Sequence, residues 1–523
     1  MRNRRMLSRL GLGLALLIVG SCGDPTPPKD VNLLLVSWDT LRADRLGAYG
    51  NADWDTSPSP RADALGAEGV LFETAYAPRG QTHPSLASML TGLYPATTGL
   101  RENGFPLSPE YTTLFERLDA AGYQTGVFIS NFVVQHPVDG WVARGADVAA
   151  DGYGGSRGSF THNDESRLQV EWDNRVERAT KSYLDFVDKD KPFAVWTHFY
   201  DIHKPYNPPQ GYIGRFGKTP ELPDPIRAPG PNSAMALEQY LANITLGRSP
   251  EPSEQELKRI EGLYDGAIRA TDDRLSRILD QLEEMGELEN TYVVFTSDHG
   301  EELYDHNRYF YHGASIYDGV VRIPLIISGP ELQRGLRVSG VVRNIDIAPT
   351  VLDLLGLPEA PEMEGTTLVP VLRGEAAEPA VDHAIIEWQD LIYAVSDGKH
   401  KLILNRQHVF PRKSPYHSVP GASFDIDCIE AYDLLADPLE QTNLLQGFEL
   451  DQLEGGRGLP EEFQPLYFHL RDFLADPAHE GSMNVDNLDA QARKRLSALG
   501  YVGTGSTSAG RTDSMRGDPC IQR

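Results

Sequence analysis

Basic residues are scarce in this sequence. Lys and Arg together number 48, against 75 Asp and Glu, and the formal net charge is −27. A nucleic-acid-binding surface needs a positive potential, so this balance argues against nucleic acid as a partner. An acidic protein can still bind an anionic substrate, but it then needs a bound metal ion or a local cluster of Arg, Lys or His.

Long apolar runs are also scarce. After residue 21 no run is long enough to span a bilayer. The one pronounced run covers residues 10–19, follows Arg2, Arg4 and Arg5, and is too short to span a membrane stably. A basic start followed by a short apolar segment is typical of an export signal.

Cysteine is rare as well, with three in 523 residues. Cys22 directly follows Val19, Gly20 and Ser21 at the end of the apolar run, which resembles a bacterial lipobox. We therefore predict a lipoprotein signal peptide over residues 1–22, a tether over residues 23–30, and a lipid-anchored protein of a bacterial cell envelope, periplasmic or on the outer surface. An ordinary signal peptide with a chance cysteine is the alternative. Cys428 and Cys520 could pair in an oxidising compartment, and the sequence leaves this open.

The body of the chain alternates apolar strand-like runs with helical patterns, which predicts an α/β fold with a large, mostly parallel sheet. Strands are predicted over residues 32–37, 123–130, 193–198, 291–296 and 323–328. Their near-continuous apolar character is typical of strands covered on both faces. A long helix is predicted from about Ser253, which forms a capping box with Glu256, to a stop at Gly286.

The pattern changes after about residue 375. Short strands are predicted over residues 384–388, 391–396 and 400–404, the last two joined by a turn at Asp397 and Gly398. We predict a catalytic domain over residues 31–375, a smaller C-terminal domain with an antiparallel sheet and a helix over residues 376–500, and a disordered tail over residues 501–523.

Potential metal ligands follow three of the predicted strands. Asp39 follows the first, Asp201 and His203 follow the third, and Asp298 with His299 follows the fourth. Ligands bind outside the carboxyl ends of parallel strands, so these groups are expected to converge, although each Asp alone is more typical of a helix cap. Carboxylates with imidazole suit Zn²⁺ or Mn²⁺, and all-oxygen ligands suit Ca²⁺ or Mg²⁺.

The segment over residues 81–92 is predicted to be a turn that leads into a helix. Pro84 fits the first helical position, which places Thr82 at or just before the helix N-terminus. This position favours a bound anion or a deprotonated hydroxyl. From the segment alone, a helix cap is the favoured interpretation of Thr82.

Several motifs, taken together, resemble the sulfatase family within the alkaline-phosphatase superfamily. They occur in family order at residues 39–50 (DTLRADRLGAYG), 84–95 (PSLASMLTGLYP), 296–301 (TSDHGE), 322–327 (RIPLII), 346–352 (DIAPTVL) and 432–444. The resemblance implies an α/β domain with a smaller C-terminal domain, and a divalent cation (Ca²⁺, Mn²⁺ or Zn²⁺) bound by Asp39, Asp298 and His299. It also places Thr82 at the nucleophile position.

The resemblance assigns further residues to the site. His203 and His312 match catalytic positions that contact the anion or protonate the leaving group, and Asn103 resembles a substrate-binding residue, with Arg101 beside it. For these four residues a purely structural role in a loop is the alternative. Asp201, together with His203 and His312, could instead hold a second metal ion, and Asp305 and His306 are weaker candidates for that cluster.

The sequence departs from the sulfatase pattern in three places. Thr82 stands where sulfatases carry Cys or Ser, Thr40 where many have a second Asp, and Leu86 where sulfatases have Arg. Thr is a secondary alcohol and cannot give the aldehyde formylglycine, so we expect direct attack by a metal-activated Thr82 on a sulfate, phosphate or phosphonate ester. An envelope phosphoryl-group transferase and a non-catalytic sulfatase-like binding protein are the alternatives, and the oligomeric state stays open.

Overall fold

The computed structural model describes residues 30–131, 140–151, 162–216, 240, 243, 250–306, 312–313, 315–388, 392–405, 429–448 and 458–480, with the backbone alone at residues 151, 162–170 and 480. The predicted signal peptide, Cys22, Cys428, Cys520 and the predicted tail lie outside these residues. So do residues 23–29 of the predicted tether. The boundary near residue 375 stays a prediction. None of the described helices is both long and apolar enough to cross a membrane.

The large sheet has eight strands in the order β4-β3-β5-β1-β6-β7-β2-β8. The strands are β1 Asn32–Trp38, β2 Val70–Tyr76, β3 Gln124–Ile129, β4 Val148–Asp151, β5 Phe193–Phe199, β6 Thr291–Ser297, β7 Arg322–Ser328 and β8 Leu336–Arg343. β7 runs antiparallel to both of its neighbours, and every other pairing in the sheet is parallel. The five strands expected in this region are confirmed.

Helices cover both faces of this sheet, which is why its central strands are apolar at successive positions. In β1, Leu33 and Leu35 pack into one hydrophobic cluster, whereas Leu34 and Val36 pack into the cluster on the opposite face. The described helices are α1 Pro60–Glu68, α2 Thr82–Thr91, α3 Pro95–Thr98, α4 Leu114–Ala120, α5 His162–Phe186, α6 Glu254–Met285, α7 Asp318–Val321, α8 Ile347–Leu354, α9 Val369–Leu372 and α10 Gln464–Ala475.

The long helix α6 begins and ends where the sequence predicts. Ser253 accepts a hydrogen bond from the backbone of Glu256, whose side chain returns to the Ser253 backbone, so the capping box is complete. Gly286 ends the helix at φ 77°, a left-handed conformation that glycine adopts without a steric clash. The apolar side of α6 packs against β1 and β6 and thereby supports the strands that carry the site.

A second, antiparallel sheet has four strands in the order β12-β11-β10-β9. They are β9 Ala384–Trp388, β10 Ile392–Ser396, β11 His400–Asn405 and β12 Ile429–Asp433, and α10 packs on this sheet. The predicted antiparallel sheet and helix are therefore confirmed. Lys401 of β11 links this sheet to α7, because its buried ammonium lies 2.8 Å from Asp318 Oδ1 at the start of that helix. The same ammonium lies 2.9 Å from Glu440 Oε1.

Candidate active site

Three predicted metal ligands meet at the carboxyl ends of two adjacent strands. β1 and β6 pair in parallel, with Trp38 opposite Ser297, so the residues that follow them are neighbours. One ligand atom each from Asp39, Asp298 and His299 lies within 4.8 Å of the others, and all three residues are fully buried. The expectation that these side chains converge is confirmed.

The surroundings of the two carboxylates leave one oxygen of each without a hydrogen bond. Asp298 Oδ1 accepts hydrogen bonds from the backbone N–H of Thr40 at 3.2 Å and of His299 at 2.8 Å. Asp39 Oδ2 accepts one from Asn131 Nδ2 and lies 3.4 Å from His198 Nε2. Within the described part of the chain, Asp39 Oδ1 and Asp298 Oδ2 are buried without a hydrogen-bond partner, a costly state for anionic oxygens that a bound cation relieves.

The electrostatics of the pair also favour a cation. Burial alone would raise the pKa of Asp39, but its hydrogen bond with His198 and the charges of nearby histidines lower it below the usual range. Burial and the adjacent Asp39 carboxylate raise the pKa of Asp298. Two buried carboxylates that repel each other beside an imidazole form a donor set that fits a divalent metal ion.

The backbone between these ligands is strained. Thr40 has φ 57°, a left-handed conformation that β-branched residues rarely adopt. This conformation lets the Thr40 N–H point at Asp298, while Tyr264 of α6 donates its hydroxyl hydrogen to the Thr40 carbonyl at 2.6 Å. Thr40, which replaces a common second Asp of the family, therefore acts here through its backbone.

Thr82 lies beside the cluster. It is the first residue of α2, it is buried, and its Oγ1 lies 3.4 Å from His299 Nε2. Pro84 is therefore the third helical residue and not the first, a correction of the predicted helix start. The N-terminus of α2 carries a positive partial charge, which favours an anion at this position.

Asn103 borders the same helix end. Its Oδ1 accepts a hydrogen bond from the His83 N–H at 2.8 Å, and the side chain is fully buried. Its Nδ2 has no hydrogen-bond partner among the residues that the structure describes, so a buried donor is available beside α2. Arg101 has other partners, since its Nη2 donates to the His479 carbonyl at 3.0 Å and its Nε lies 3.4 Å from Glu387 Oε1.

A row of histidine rings extends from the cluster. The ring centroids of His299 and His312 are 4.5 Å apart, and those of His312 and His203 are 5.1 Å apart. Nδ1 of His312 lies 2.9 Å from Glu301 Oε1, and burial, followed by the charges of His299 and His203, holds the pKa of His312 well below its usual range. A neutral imidazole beside a second histidine can take part in proton transfer.

The remaining candidates have different partners. Asp201 Oδ2 lies 2.7 Å from Arg274 Nη1, and Asp305 Oδ2 lies 2.5 Å from Arg42 Nη1. His306 lies 3.3 Å from Glu302 and stacks on Tyr317. Among the described residues, none of the three belongs to the Asp39 cluster, and their role in a second metal site stays a prediction.

Sequence reasoning missed His198 and Asn131, which contact Asp39. His198 is the penultimate residue of β5 and lies opposite Ser37 in the strand register. A histidine inside an apolar strand is most simply interpreted as a core residue, and only the pairing of β5 with β1 brings its ring to Asp39.

Comparison with known proteins gives two family matches. Residues 31–357 match the family described as Sulfatase. Residues 305–456 match the family described as N-sulphoglucosamine sulphohydrolase, C-terminal.

Curated relatives resemble the chain over most of its length. An N-acetylglucosamine-6-O-sulfatase of Bacteroides thetaiotaomicron is 26% identical and covers 84% of this chain and 87% of its own length. Arylsulfatase K of Gallus gallus is 29% identical and covers 88% of this chain and 86% of its own length. A solved structure, of a protein bound to its substrate D-glucosamine-2-N,6-O-disulfate, aligns with a TM-score of 0.64 at 22% identity over 86% of this chain and 99% of that one. This likeness shows a shared fold.

Proposed function

Because this chain belongs to the sulfatase family and is an ester hydrolase, we propose that it cleaves sulfate, phosphate or phosphonate esters by direct attack of Thr82. The observation that carries the proposal is the position of Thr82, whose Oγ1 lies 3.4 Å from His299 Nε2 at the edge of the Asp39 cluster. A buried hydroxyl at a helix N-terminus, beside a cation-binding donor set, is suited to nucleophilic attack.

We propose that Asp39, Asp298 and His299 hold one divalent cation. Two buried carboxylates and one imidazole favour Zn²⁺ or Mn²⁺ over Ca²⁺, which prefers oxygen ligands alone. When bound, such an ion supplies positive charge that favours the deprotonated form of a neighbouring hydroxyl.

The chain's own residues account for the other steps. Thr82 Oγ1 forms a bond to the sulfur or phosphorus atom, and the bond to the leaving-group oxygen breaks. The proton of the Thr82 hydroxyl passes to the pair of histidines His203 and His312. The imidazole that gains it then supplies the proton that the leaving-group oxygen requires. The positive end of the α2 dipole and Asn103 Nδ2 stabilise the oxygens of the transferred group. Water then hydrolyses the Thr82 ester.

Two features bear on the substrate class, and they favour different esters. The names of relatives, among them N-acetylglucosamine-6-O-sulfatase, support a sulfated sugar. Thr82 without formylglycine chemistry favours a phosphate or phosphonate ester, and Leu86, which is fully buried, contributes no charge for a sulfate. The proposal therefore covers both ester classes.

A substrate panel tests the proposal. Purified protein would be assayed with an aryl sulfate, a phosphate diester, a phosphonate monoester and a 6-O-sulfated N-acetylglucosamine, each with added Zn²⁺, Mn²⁺ or Ca²⁺. We expect turnover of at least one ester that requires the cation. Absence of turnover throughout, with the metal bound, would favour the non-catalytic alternative, and transfer to an added alcohol in place of water would favour a transferase.

We propose in addition that Cys22 carries a lipid anchor at a bacterial envelope. The support is the position of a rare cysteine after Val19-Gly20-Ser21. The full-length chain, expressed in a bacterium, should fractionate with membranes, and Cys22→Ser should be released from them. Equal membrane association of the two proteins would contradict the anchor.

A further inference from the structure

We propose that Asp382, His383 and His469 form a second cation site, of the Zn²⁺ class, that holds helix α10 on the antiparallel sheet. One ligand atom from each residue lies within 4.8 Å of the others. This inference concerns the smaller sheet and its helix, and it does not depend on the proposed function.

The site joins two separate elements. Asp382 and His383 immediately precede β9, and His469 lies in the middle of α10. Asp382 Oδ1 lies 3.1 Å from His383 Nδ1 and 4.0 Å from His469 Nε2. Two atoms that each bind one ion at about 2.1 Å can be at most about 4.2 Å apart, so both distances are compatible with a shared ion.

The two imidazole rings are already held together. They are stacked, with centroids 3.8 Å apart and planes inclined by 17°. The side chains of His383 and His469 are only 22% and 37% exposed, whereas Asp382 is 85% exposed. The nitrogen ligands are therefore largely fixed before an ion binds, and the open side at Asp382 admits the ion and the water molecules that complete its coordination.

The donor set points to a particular class of ion. Two imidazoles and one carboxylate suit Zn²⁺ and other late first-row metals, and suit Ca²⁺ or Mg²⁺ poorly because those ions prefer oxygen ligands. An ion bound here cross-links α10 to the residues that enter β9. Because it binds the folded chain and bridges two elements, it stabilises the folded state without taking part in ester hydrolysis.

Zn²⁺ binding to the full-length protein tests this site separately from the Asp39 cluster. The chelator-stripped protein would carry Asp298→Asn to disable that cluster, and Zn²⁺ binding and the thermal unfolding midpoint would be measured with and without His469→Gln. We expect Zn²⁺ to bind and raise the midpoint in the Asp298→Asn protein. His469→Gln should weaken binding at least about tenfold, since even loss of an outer partner of a ligand commonly weakens metal binding 10–100-fold.

His400→Ala is the matched control in the same sheet. His400 Nδ1 lies 3.4 Å from Asp397 Oδ2, so it is a His–Asp pair that lacks a third ligand among the described residues. It should leave Zn²⁺ affinity and the Zn²⁺-induced shift unchanged. The site is refuted if the Asp298→Asn protein does not bind Zn²⁺, or if His469→Gln binds it as tightly as its parent. His469 is partly exposed, so Gln is expected to fold, and His383→Gln provides an independent second variant.

Discussion

His312 Nδ1 lies 2.9 Å from Glu301 Oε1, and both side chains are buried beside the cluster. The hydrogen bond fixes the orientation of the imidazole ring that lies between His299 and His203. Glu301 is thus a positioning residue for a histidine proposed to take part in proton transfer.

Glu301→Ala should lower kcat with little effect on KM. A positioned acid or base typically raises the rate by about 10²–10⁴-fold. Loss of its orientation should therefore lower kcat by about tenfold or more. Glu301→Gln keeps an oxygen that can accept from Nδ1 and should lose less. Glu302→Ala is the control, because Glu302 is equally buried but binds Ser315. An equal loss of kcat in the control would contradict a specific role for Glu301.

Tyr264→Phe should destabilise the protein and weaken metal binding. The Tyr264 hydroxyl donates to the Thr40 carbonyl and accepts from the Arg42 N–H at 3.0 Å, so its loss leaves two buried backbone groups unpaired. The expected loss is about 1–3 kcal/mol in the free energy of unfolding, measured by denaturant titration. Tyr183→Phe, which removes a hydroxyl that has no hydrogen-bond partner in the described ranges, should change neither property.

Asp272 predicts a pH dependence of stability. It accepts the N–H groups of Arg61 and Ala62 at the start of α1, and burial raises its pKa to about 7 from 3.8. Below about pH 4, Asp272 is protonated in both the folded and the unfolded chain. Between about pH 4 and 7 it is ionised in the unfolded chain but still protonated in the folded one. Stability therefore falls as pH rises through this window, by up to about 4 kcal/mol.

Asp272→Asn should flatten the unfolding free energy between pH 4 and 7, as measured by denaturant titration at each pH. The adjacent Asp273→Asn, whose partly exposed carboxylate binds Arg269, is the control. If the unfolding free energy of Asp272→Asn changed with pH as steeply as that of the parent, this would contradict a raised pKa of Asp272 in the folded protein.

Removal of the metal should abolish activity reversibly. Chelation should reduce turnover to background, and re-addition of the removed cation should restore it. Without a cation, the buried carboxylates of Asp39 and Asp298 beside His299 are not neutralised. Asp39→Asn should lower both the metal content and the activity, whereas the exposed Asp119→Asn should lower neither. Full activity of metal-free protein would contradict the proposed metal site.

The sequence predicts the interior strands better than the edges. β1, β5 and β6 are continuous apolar runs covered on both faces, and such runs are readable without a structure. This signal is absent from β2, which contains Glu73 and Thr74, and from the edge strands β4 and β8, which have exposed residues. The sequence does not predict these three strands.

The same contrast applies to the site. Asp39, Asp298 and His299 follow strands, so the topology of a parallel sheet is enough to bring them together. Asp201 also follows a strand, but it forms an ion pair with Arg274 of α6, a helix that is distant in sequence, and does not join the Asp39 cluster. Pairings of this kind depend on the packing of helices against the sheet, which the periodicity of a single sequence does not determine.

The covalent state of Thr82 during turnover tests the mechanism most directly. Enzyme quenched while it hydrolyses its ester would be digested, and the peptide that contains residue 82 analysed by mass spectrometry. Attack by Thr82 predicts a sulfo or phospho group on that side chain, and Thr82→Ala should lower turnover at least about a thousandfold while it retains the metal. An unmodified Thr82 in the quenched enzyme, together with full turnover by Thr82→Ala, would contradict the account.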